Sequence, residues 1–279
     1  MNKRILDVAV VTLFNPDNRV FDNILTYLPY IKELLIIDNS SIPFNIDVLK
    51  NKYSNITLLS SGKNLGISKS LNLAVKYAKL KKYRWLLTMD QDSYFDSSEI
   101  EKFIRLFYKS LDDTLAIFAP LHNKKFLFLE KTYNKDIVFV MTSANIINIE
   151  KTISIGMFDE KLFIDEVDHD FCLRLKKEGY NIFQNQNSYI NHRLGEKHKK
   201  FNINLYPSKR IYYIIRNYLY IRKKHKRDMP FFFKKRDIYL LKFFLQQFIY
   251  SKNKIEYSYM LSKGIKDYKN KKMGYQIML

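Results

Sequence analysis

RWLLTMDQDS, running from Arg84 to Ser93, is the stretch whose reading decides the fold. Trp85 to Met89 form an apolar, strand-like run, and Asp90-Gln91-Asp92 follow at its end. Two carboxylates one residue apart on a turn can hold a divalent cation between themselves and a phosphate, because hard cations take oxygen ligands. The plainer reading is a helix start, with Asp92, Ser93 or Asp96 capping a helix that begins near residue 98. The spacing alone does not separate the two, so the neighbouring segments decide.

Upstream, ILDVAVVTLF (5–14) is apolar and β-branched, a buried strand ending at Asn15-Pro16. A helical stretch over 18–28 precedes a second strand, LLIIDNSS (34–41), and a third, NITLLSS (55–61). Residues 66–80 carry Ile67, Leu71, Ala74, Val75 and Ala78 at helical spacing. Strands alternating with helices in this way predict βαβ units and a parallel sheet. Ligands of such sheets bind beyond the carboxyl ends of the strands. The polar residues fall at those ends: Asn15, Asp38-Asn39, Asn64 and Asp90-Gln91-Asp92. From about 115 to 192 the pattern is less regular, with short strands (AIFAP, IVFVMTSA, NIFQ, SYIN) and a helix near 168–178. From 207 the chain reads as all-helical over 207–227, 231–250 and 253–267, broken at Pro207 and Pro230. We expect a catalytic domain over 1–206 and a basic helical region over 207–279.

The chain of 279 residues is 47% hydrophobic and 27% charged, ordinary for a globular protein. No apolar run reaches the roughly 18 residues that span a bilayer. Asp7 interrupts the first apolar run and no small-residue cleavage site follows, so we read no signal peptide. The single cysteine, Cys172, excludes an intrachain disulfide and a Cys-based zinc site, and favours a reducing compartment. Charge is uneven. Up to His192 there are 25 basic and 23 acidic residues; from Arg193 onward there are 23 and 5. Lysine-rich codon bias would raise basic residues everywhere, whereas this excess sits in one third, which points to an anionic partner for the tail. Only seven glycines occur, so those present tend to mark positions where the backbone needs them.

Three further constellations carry chemistry. Asn64-Leu65-Gly66, with Asn72, places a glycine between strand end and helix start, where amides favour phosphate; a simple turn is the alternative. Asp165, Glu166, Asp168 and Asp170 crowd the start of a helix. One of them can serve as a general base, and others suit the helix dipole. His192, with Gly195 and Glu196 beyond it, can offer a nitrogen to a cation or touch a diphosphate, or lie idle at the surface.

Taken in order, these elements resemble the inverting family 2 glycosyltransferases of the GT-A fold, and within them the rhamnosyltransferase branch. The likeness spans about 5–275. Thr12 to Pro16 is similar to the family's T-[YF]-N-P opening, Asp38-Asn39-Ser40-Ser41 to its base-contacting turn, Asn64-x-Gly66 with Asn72 to N-x-G-x-x-x-x-x-N, and Asp90-Gln91-Asp92-Ser93 to the DQDS form. Thr142-Ser143-Ala144 stands where the family has S-G. Gly156 to Glu160 and Phe163-Ile164-Asp165 resemble the segment before the acceptor site. Val167-Asp168 aligns with the E-D pair, His192-x-x-Gly195-Glu196 with H-x-x-G-E, and Arg210-x-Tyr212-Tyr213-x-x-Arg216-Asn217 with R-x-Y-Y-x-x-R-N.

The resemblance implies a nucleotide-diphospho-sugar transferase: a Rossmann-like, mixed but mostly parallel α/β sheet with a C-terminal helical extension. It implies Asp168 as catalytic base. Thr12, Asn15, Asp38, Asn39, Asn64, Gly66, Asn72, Asp90, Gln91, Arg210 and Arg216 would bind the donor. Asp92, Asp90 and His192 would hold Mg2+ or Mn2+, and Ser143, Asp165 and Glu166 would meet the acceptor. For the two arginines, salt bridging between tail and core is the equal alternative. The donor implied is dTDP-β-L-rhamnose, with another UDP- or dTDP-hexose such as galactose or glucose as the alternative. The implied acceptor is a glycan, commonly linked to polyprenyl diphosphate, at the cytoplasmic face of the cell membrane in surface polysaccharide synthesis. The aromatic and basic run Phe231–Tyr250 fits an anionic membrane interface, packing on the catalytic domain, or a homodimer contact. A nucleotidyltransferase would carry a glycine-rich basic signature after the first strand, which is missing. A nucleic-acid-binding protein would explain the tail but not carboxylates at strand ends.

Overall fold

The computed structural model describes residues 5–122, 133–134, 139–192, 197–198 and 203–276. The chain forms two compact units: Met1–Asp159 with Phe171–Arg193, and Glu160–Asp170 with Leu194–Leu279. Each is described by itself.

In the first unit, β1 (Leu6–Leu13), β2 (Ile31–Asp38), β3 (Ile56–Ser60) and β4 (Trp85–Asp90) lie parallel in the order β3-β2-β1-β4. Helices α1 (Arg19–Leu25), α2 (Asp47–Lys50) and α3 (Ile67–Leu80) connect them. The continuous apolar runs suit strands covered on both faces: every residue from Val8 to Leu13 is buried. The sheet continues with β5 (Ser93–Tyr94), β6 (Leu115–His122), β7 (Tyr133–Asn134), β8 (Asn145–Asn148) and β9 (Asn181–His192). β8 runs antiparallel to β4 and β6, β6 and β9 pair parallel, and β5 and β7 pair antiparallel with β9. The sheet is therefore mixed, parallel throughout only across β1 to β4. Helix α4 (Glu99–Lys109) buries Ile100, Phe103, Ile104 and Phe107, the spacing of a single apolar stripe. Its rings pack on the strands, with Phe107 edge-on to Trp85 at 5.0 Å and Phe103 on Phe118 at 5.1 Å. Helices α5 (Ile149–Ser154) and α6 (Val167–Lys177) follow.

Registers bring the carboxyl ends of the parallel strands level. Thr12 pairs with Asp90, Leu13 with Asp38, and Asp38 with Ser60. At the other side, Ser93 pairs with His192. Three sequence boundaries shift. β2 begins at Ile31, because a single 3-10 turn, Leu28–Tyr30, delivers the chain straight into it, and Asn39 to Ser41 form the turn after it. The strand expected over IVFVMTSA is not found in its described part, 139–144, where Ala144 takes a left-handed φ of 61° that interrupts an extended chain; the strand starts at Asn145. NIFQ and SYIN are one strand.

The second unit holds an antiparallel pair, β10 (Lys197–His198) and β11 (Ile203–Asn204), and helices α7 (Ser208–His225), α8 (Pro230–Tyr250) and α9 (Lys254–Lys269). Pro230 sits in the first turn of α8, where no amide partner is lost. Asn253 caps α9 by accepting the Glu256 N–H at 3.0 Å. Phe163, Tyr212, Tyr213 and Met260 make an apolar cluster between α7, α9 and the segment before α6. Gly264 permits the close crossing of α7 and α9: a Cβ there would stand 2.7 Å from the Tyr212 carbonyl oxygen and 2.6 Å from Ile215 Cγ2. We expect Gly264→Val to destabilise the protein by about 1–3 kcal/mol through overpacking, and Gly264→Ala by less, since alanine recovers helix propensity. Urea unfolding midpoints check this; unchanged midpoints for Gly264→Val would contradict the close crossing.

Candidate active site

The carboxyl edge of the first unit is built by backbone clamps. Asp38, buried at the end of β2, accepts the N–H of Ser40 at 2.8 Å on Oδ1 and that of Phe44 at 2.7 Å on Oδ2. Its carboxylate shapes the turn that the sequence marks as base-contacting. Asn39 donates from its backbone to the Leu13 carbonyl, and its side chain ties Leu65 N–H (3.2 Å) to Ser70 (3.0 Å). Asn15 holds a left-handed φ of 44° and donates its N–H to Ser40 Oγ at 2.8 Å. Thr12 is buried one residue short of the β1 end. Asn64 accepts the Gly66 N–H at 2.9 Å, and Gly66, at φ 78°, opens α3 in a conformation that favours glycine.

Four side chains expected to touch ligands make contacts within the protein. Asn72 donates to the Phe158 carbonyl and accepts its N–H, both at 2.9 Å, so this buried amide braces the 156–159 turn. Gln91 pairs in the same two-way fashion with the Phe14 backbone, accepting at 2.7 Å and donating at 3.2 Å. It joins the ends of β1 and β4. Ser143 is wholly buried, accepts the Asp90 N–H at 3.1 Å and bonds Ser93 Oγ at 2.8 Å, so it steadies the acidic turn. Arg216 is buried within the second unit, its guanidinium 5.1 and 4.9 Å from the Tyr212 and Tyr213 rings and donating to the Gly274 carbonyl at 2.8 Å.

The clamps hold Asp90, Asp92 and His192 so that one ligand atom from each lies within 4.8 Å of the others. His192 Nε2 is 3.3 Å from Asp92 Oδ1. The helix-cap alternative for this turn fails on geometry. The side chain of Asp96, before α4, accepts from Tyr189 Oη and Asn191 Nδ2 of β9, each at 2.7 Å. Ser98, at the N-cap, makes no side-chain cap bond. Two carboxylates and one imidazole fit Mg2+ or, with its greater tolerance for nitrogen, Mn2+. Gly195 and Glu196 lie outside the described residues.

In the second unit, Asp165 and Glu166 take consecutive left-handed conformations (φ 63° and 62°), a costly arrangement for non-glycine residues that clusters at functional sites. Arg210, the remaining arginine expected at the donor, forms a two-point ion pair with Asp165, at 3.1 Å from Nε and 3.0 Å from Nη2. Burial pushes the Asp165 carboxyl up, an effect that Arg210 only partly offsets. Glu166 is buried and paired with Arg236. Asp168 keeps a quarter of its side chain exposed (25%). Packing raises its carboxyl, but the His169 imidazole and N–H, with Arg236, outweigh that and hold it below the usual carboxylate range. Asp168 is thus ionised at neutral pH, the state a base requires. Asp170 is fully buried against His225 Nε2 and Lys224, both at 2.8 Å, a structural pairing. His169 and Arg236 are the members of this group that the sequence did not single out. The one legible sign was a histidine set between two aspartates, Asp168-His169-Asp170.

Comparison with known proteins agrees with this architecture. The model of "Glycosyl transferase family 2" matches residues 18–172. The dTDP-rhamnosyl transferase RfbF of Shigella flexneri is 27% identical over 240 residues, covering 78% of this chain and 80% of its own. A crystal structure of GalNAc-T7 with UDP, GalNAc and Mn2+ superposes with a TM-score of 0.56 at 13% identity over 80% of this chain; the chain spans about half that protein's length (48%), and the likeness establishes the GT-A kind of fold alone. With more than half of its length matched by the family model, the chain belongs to glycosyl transferase family 2.

Proposed function

We propose that this glycosyltransferase moves a sugar from a nucleoside diphosphate donor, with dTDP-β-L-rhamnose as first choice, to a hydroxyl of a lipid-linked glycan in bacterial surface polysaccharide synthesis. The observation that carries the reading is the convergence of Asp90, Asp92 and His192 at the carboxyl edge of the sheet. The name of the Shigella relative supports rhamnose. A UDP- or dTDP-hexose such as glucose or galactose is the second reading of the donor, and UDP is the nucleotide bound in the GalNAc-T7 structure.

Asp92, Asp90 and His192 would hold Mg2+ or Mn2+, which when bound offsets charge on a leaving diphosphate. The turns organised by Asp38, Asn39 and Asn15 would shape the nucleotide pocket, with Gly66 letting backbone approach the phosphates. Asp168 takes the proton of the acceptor hydroxyl. That oxygen bonds to the anomeric carbon as the carbon's bond to the diphosphate breaks. The single displacement inverts configuration, turning a β-linked donor into an α-L-rhamnoside. Asp165 and Glu166, fixed by Arg210 and Arg236, would frame the acceptor side.

The second unit supplies a reason to place this chemistry at the inner face of the cell membrane. Along α8, Phe233, Leu240 and Gln247 alone are buried, a seam one heptad apart. Phe231, Ile238, Leu241, Leu245 and Ile249 stay exposed, with Lys234, Lys235 and Lys242 between them. Apolar side chains flanked by lysines suit the surface of an anionic bilayer, as lysine stems lie along apolar surface while their charges reach headgroups. Among the described residues no helix is long and apolar enough to cross a membrane.

Three outcomes follow. In a panel of nucleotide sugars with Mg2+ or Mn2+, dTDP-rhamnose gives the fastest acceptor-dependent release of nucleoside diphosphate. Asp92→Ala and Asp168→Asn each lower kcat by about 10²–10⁴-fold. Retained turnover in either variant would remove the role given to that residue. The protein also floats with anionic liposomes at low salt, and Leu241→Glu with Leu245→Glu abolishes this; equal flotation with neutral liposomes, or none, would remove the membrane placement.

A further inference from the structure

His169 sits between two carboxylates. Its Nδ1 lies 3.1 Å from Asp168 Oδ1 and 3.3 Å from Glu166 Oε2, and its backbone N–H donates to the same Asp168 oxygen at 2.9 Å. The ring is buried, with the Phe232 ring of α8 at 6.1 Å between centroids. On the far side of Glu166, the Arg236 guanidinium of α8 binds Oε1. Both contacts to Asp168 fall on Oδ1, which leaves Oδ2 as the oxygen for an acceptor hydroxyl.

Charge counting around the ring gives the imidazole its task. Glu166 and Asp168 bring two negative charges and Arg236 one positive, so the group balances when His169 carries a proton. The other charges nearby are matched among themselves. Asp165 pairs with Arg210, and Asp170 with Lys224 and His225 of α7. Asp237 of α8 pairs with Arg222 and accepts from Tyr218 of α7. Burial works against the charged ring, but Glu166 and Asp168 outweigh it and Arg236, and raise the imidazole above its ordinary value.

We infer that His169 is a positioning residue for the Asp168 base: its protonated ring, shared with Glu166 and backed by Arg236, fixes the carboxylate so that Oδ2 faces the acceptor. The inference rests on the reading of Asp168 as base and extends it to a residue outside the motif that suggested it. No proton leaves His169 in the step. The acceptor's proton passes to Asp168 Oδ2, and the imidazolium stays beside Oδ1, its Nδ1 3.1 Å away. An imidazolium also keeps Asp168 ionised when the site is dry, at a cost in intrinsic basicity.

The test combines kinetics with titration of the whole protein. His169→Gln retains an N–H donor but not the charge and lowers kcat less than His169→Phe, which lowers it by about 10-fold or more with donor KM unchanged, as loss of orientation of a general base demands. In metal-free wild-type protein labelled at histidine Cε1, the His169 ring titrates above 6.5, and in Asp168→Asn it titrates lower. A His169 ring that titrates at or below 6.5 and ignores Asp168→Asn overturns the inference, even where a variant fails to fold. So does His169→Phe at full kcat beside an inactive Asp168→Asn. Full activity in Asp168→Asn would instead overturn the base assignment itself, a separate result.

Discussion

The first unit depends on holding like charges together at the edge of a sheet. Ligand atoms of Asp90 and Asp92 lie within 4.8 Å of each other. Two ionised carboxylates at that range repel by roughly 1–3 kcal/mol, depending on how far solvent screens them. Nothing in a strand end tolerates that arrangement unaided. The structure resists it with neutral clamps: Gln91 across to the Phe14 backbone, Ser143 under the Asp90 amide, and the β5–β9 pairing that sets His192 opposite Ser93. Each clamp is a hydrogen bond between residues far apart in sequence, so the turn is fixed by the whole sheet and not by its own three residues. A rigid cluster of this kind is preorganised for a cation, which relieves the repulsion that the fold has already accepted.

The division of labour within the motifs follows from this. Several residues that a sequence comparison marks together serve different ends in space. Asp90, Asp92 and His192 form a group that could hold a cation, while Gln91, between the two aspartates, turns its amide away to bind backbone. Asp38 holds two turn amides, and Asn72 braces the chain at Phe158. A motif records every residue needed to keep a geometry, and only some of those residues meet the substrate.

How much was legible in the sequence follows the range of the forces involved. β1, β3, β4 and α3 could be read because their signals are local: β-branched runs or apolar residues at helical spacing. The acidic turn was legible as well, since two aspartates at the end of an apolar strand have few other uses. β2 was misplaced by three residues because its start is set by the 3-10 turn at Pro29. The strand expected around Val140 gave way to Ala144, whose left-handed backbone comes from tertiary context, with its N–H on the Thr88 carbonyl. The R-x-Y-Y-x-x-R-N resemblance marks Arg216 as a phosphate ligand; its burial beside two tyrosine faces and the Gly274 carbonyl is announced by no local pattern. The roles of Ser143 and Asn72 likewise depend on partners more than 50 residues away.

The second unit concentrates the chain's positive charge, and yet its most ordered feature is a balance of opposite charges at the start of α6, where Arg210 and Arg236 each hold one carboxylate. The central claim, that Asp90, Asp92 and His192 form a divalent-cation centre for a nucleoside diphosphate, is tested most directly by Mn2+ titration followed by electron paramagnetic resonance in the presence of dTDP. The account predicts that wild-type protein silences the signal of free Mn2+ up to one equivalent, and that Asp90→Ala with Asp92→Ala leaves it undiminished. Equal loss of signal in the wild-type and doubly substituted proteins, or no loss in either, would contradict it.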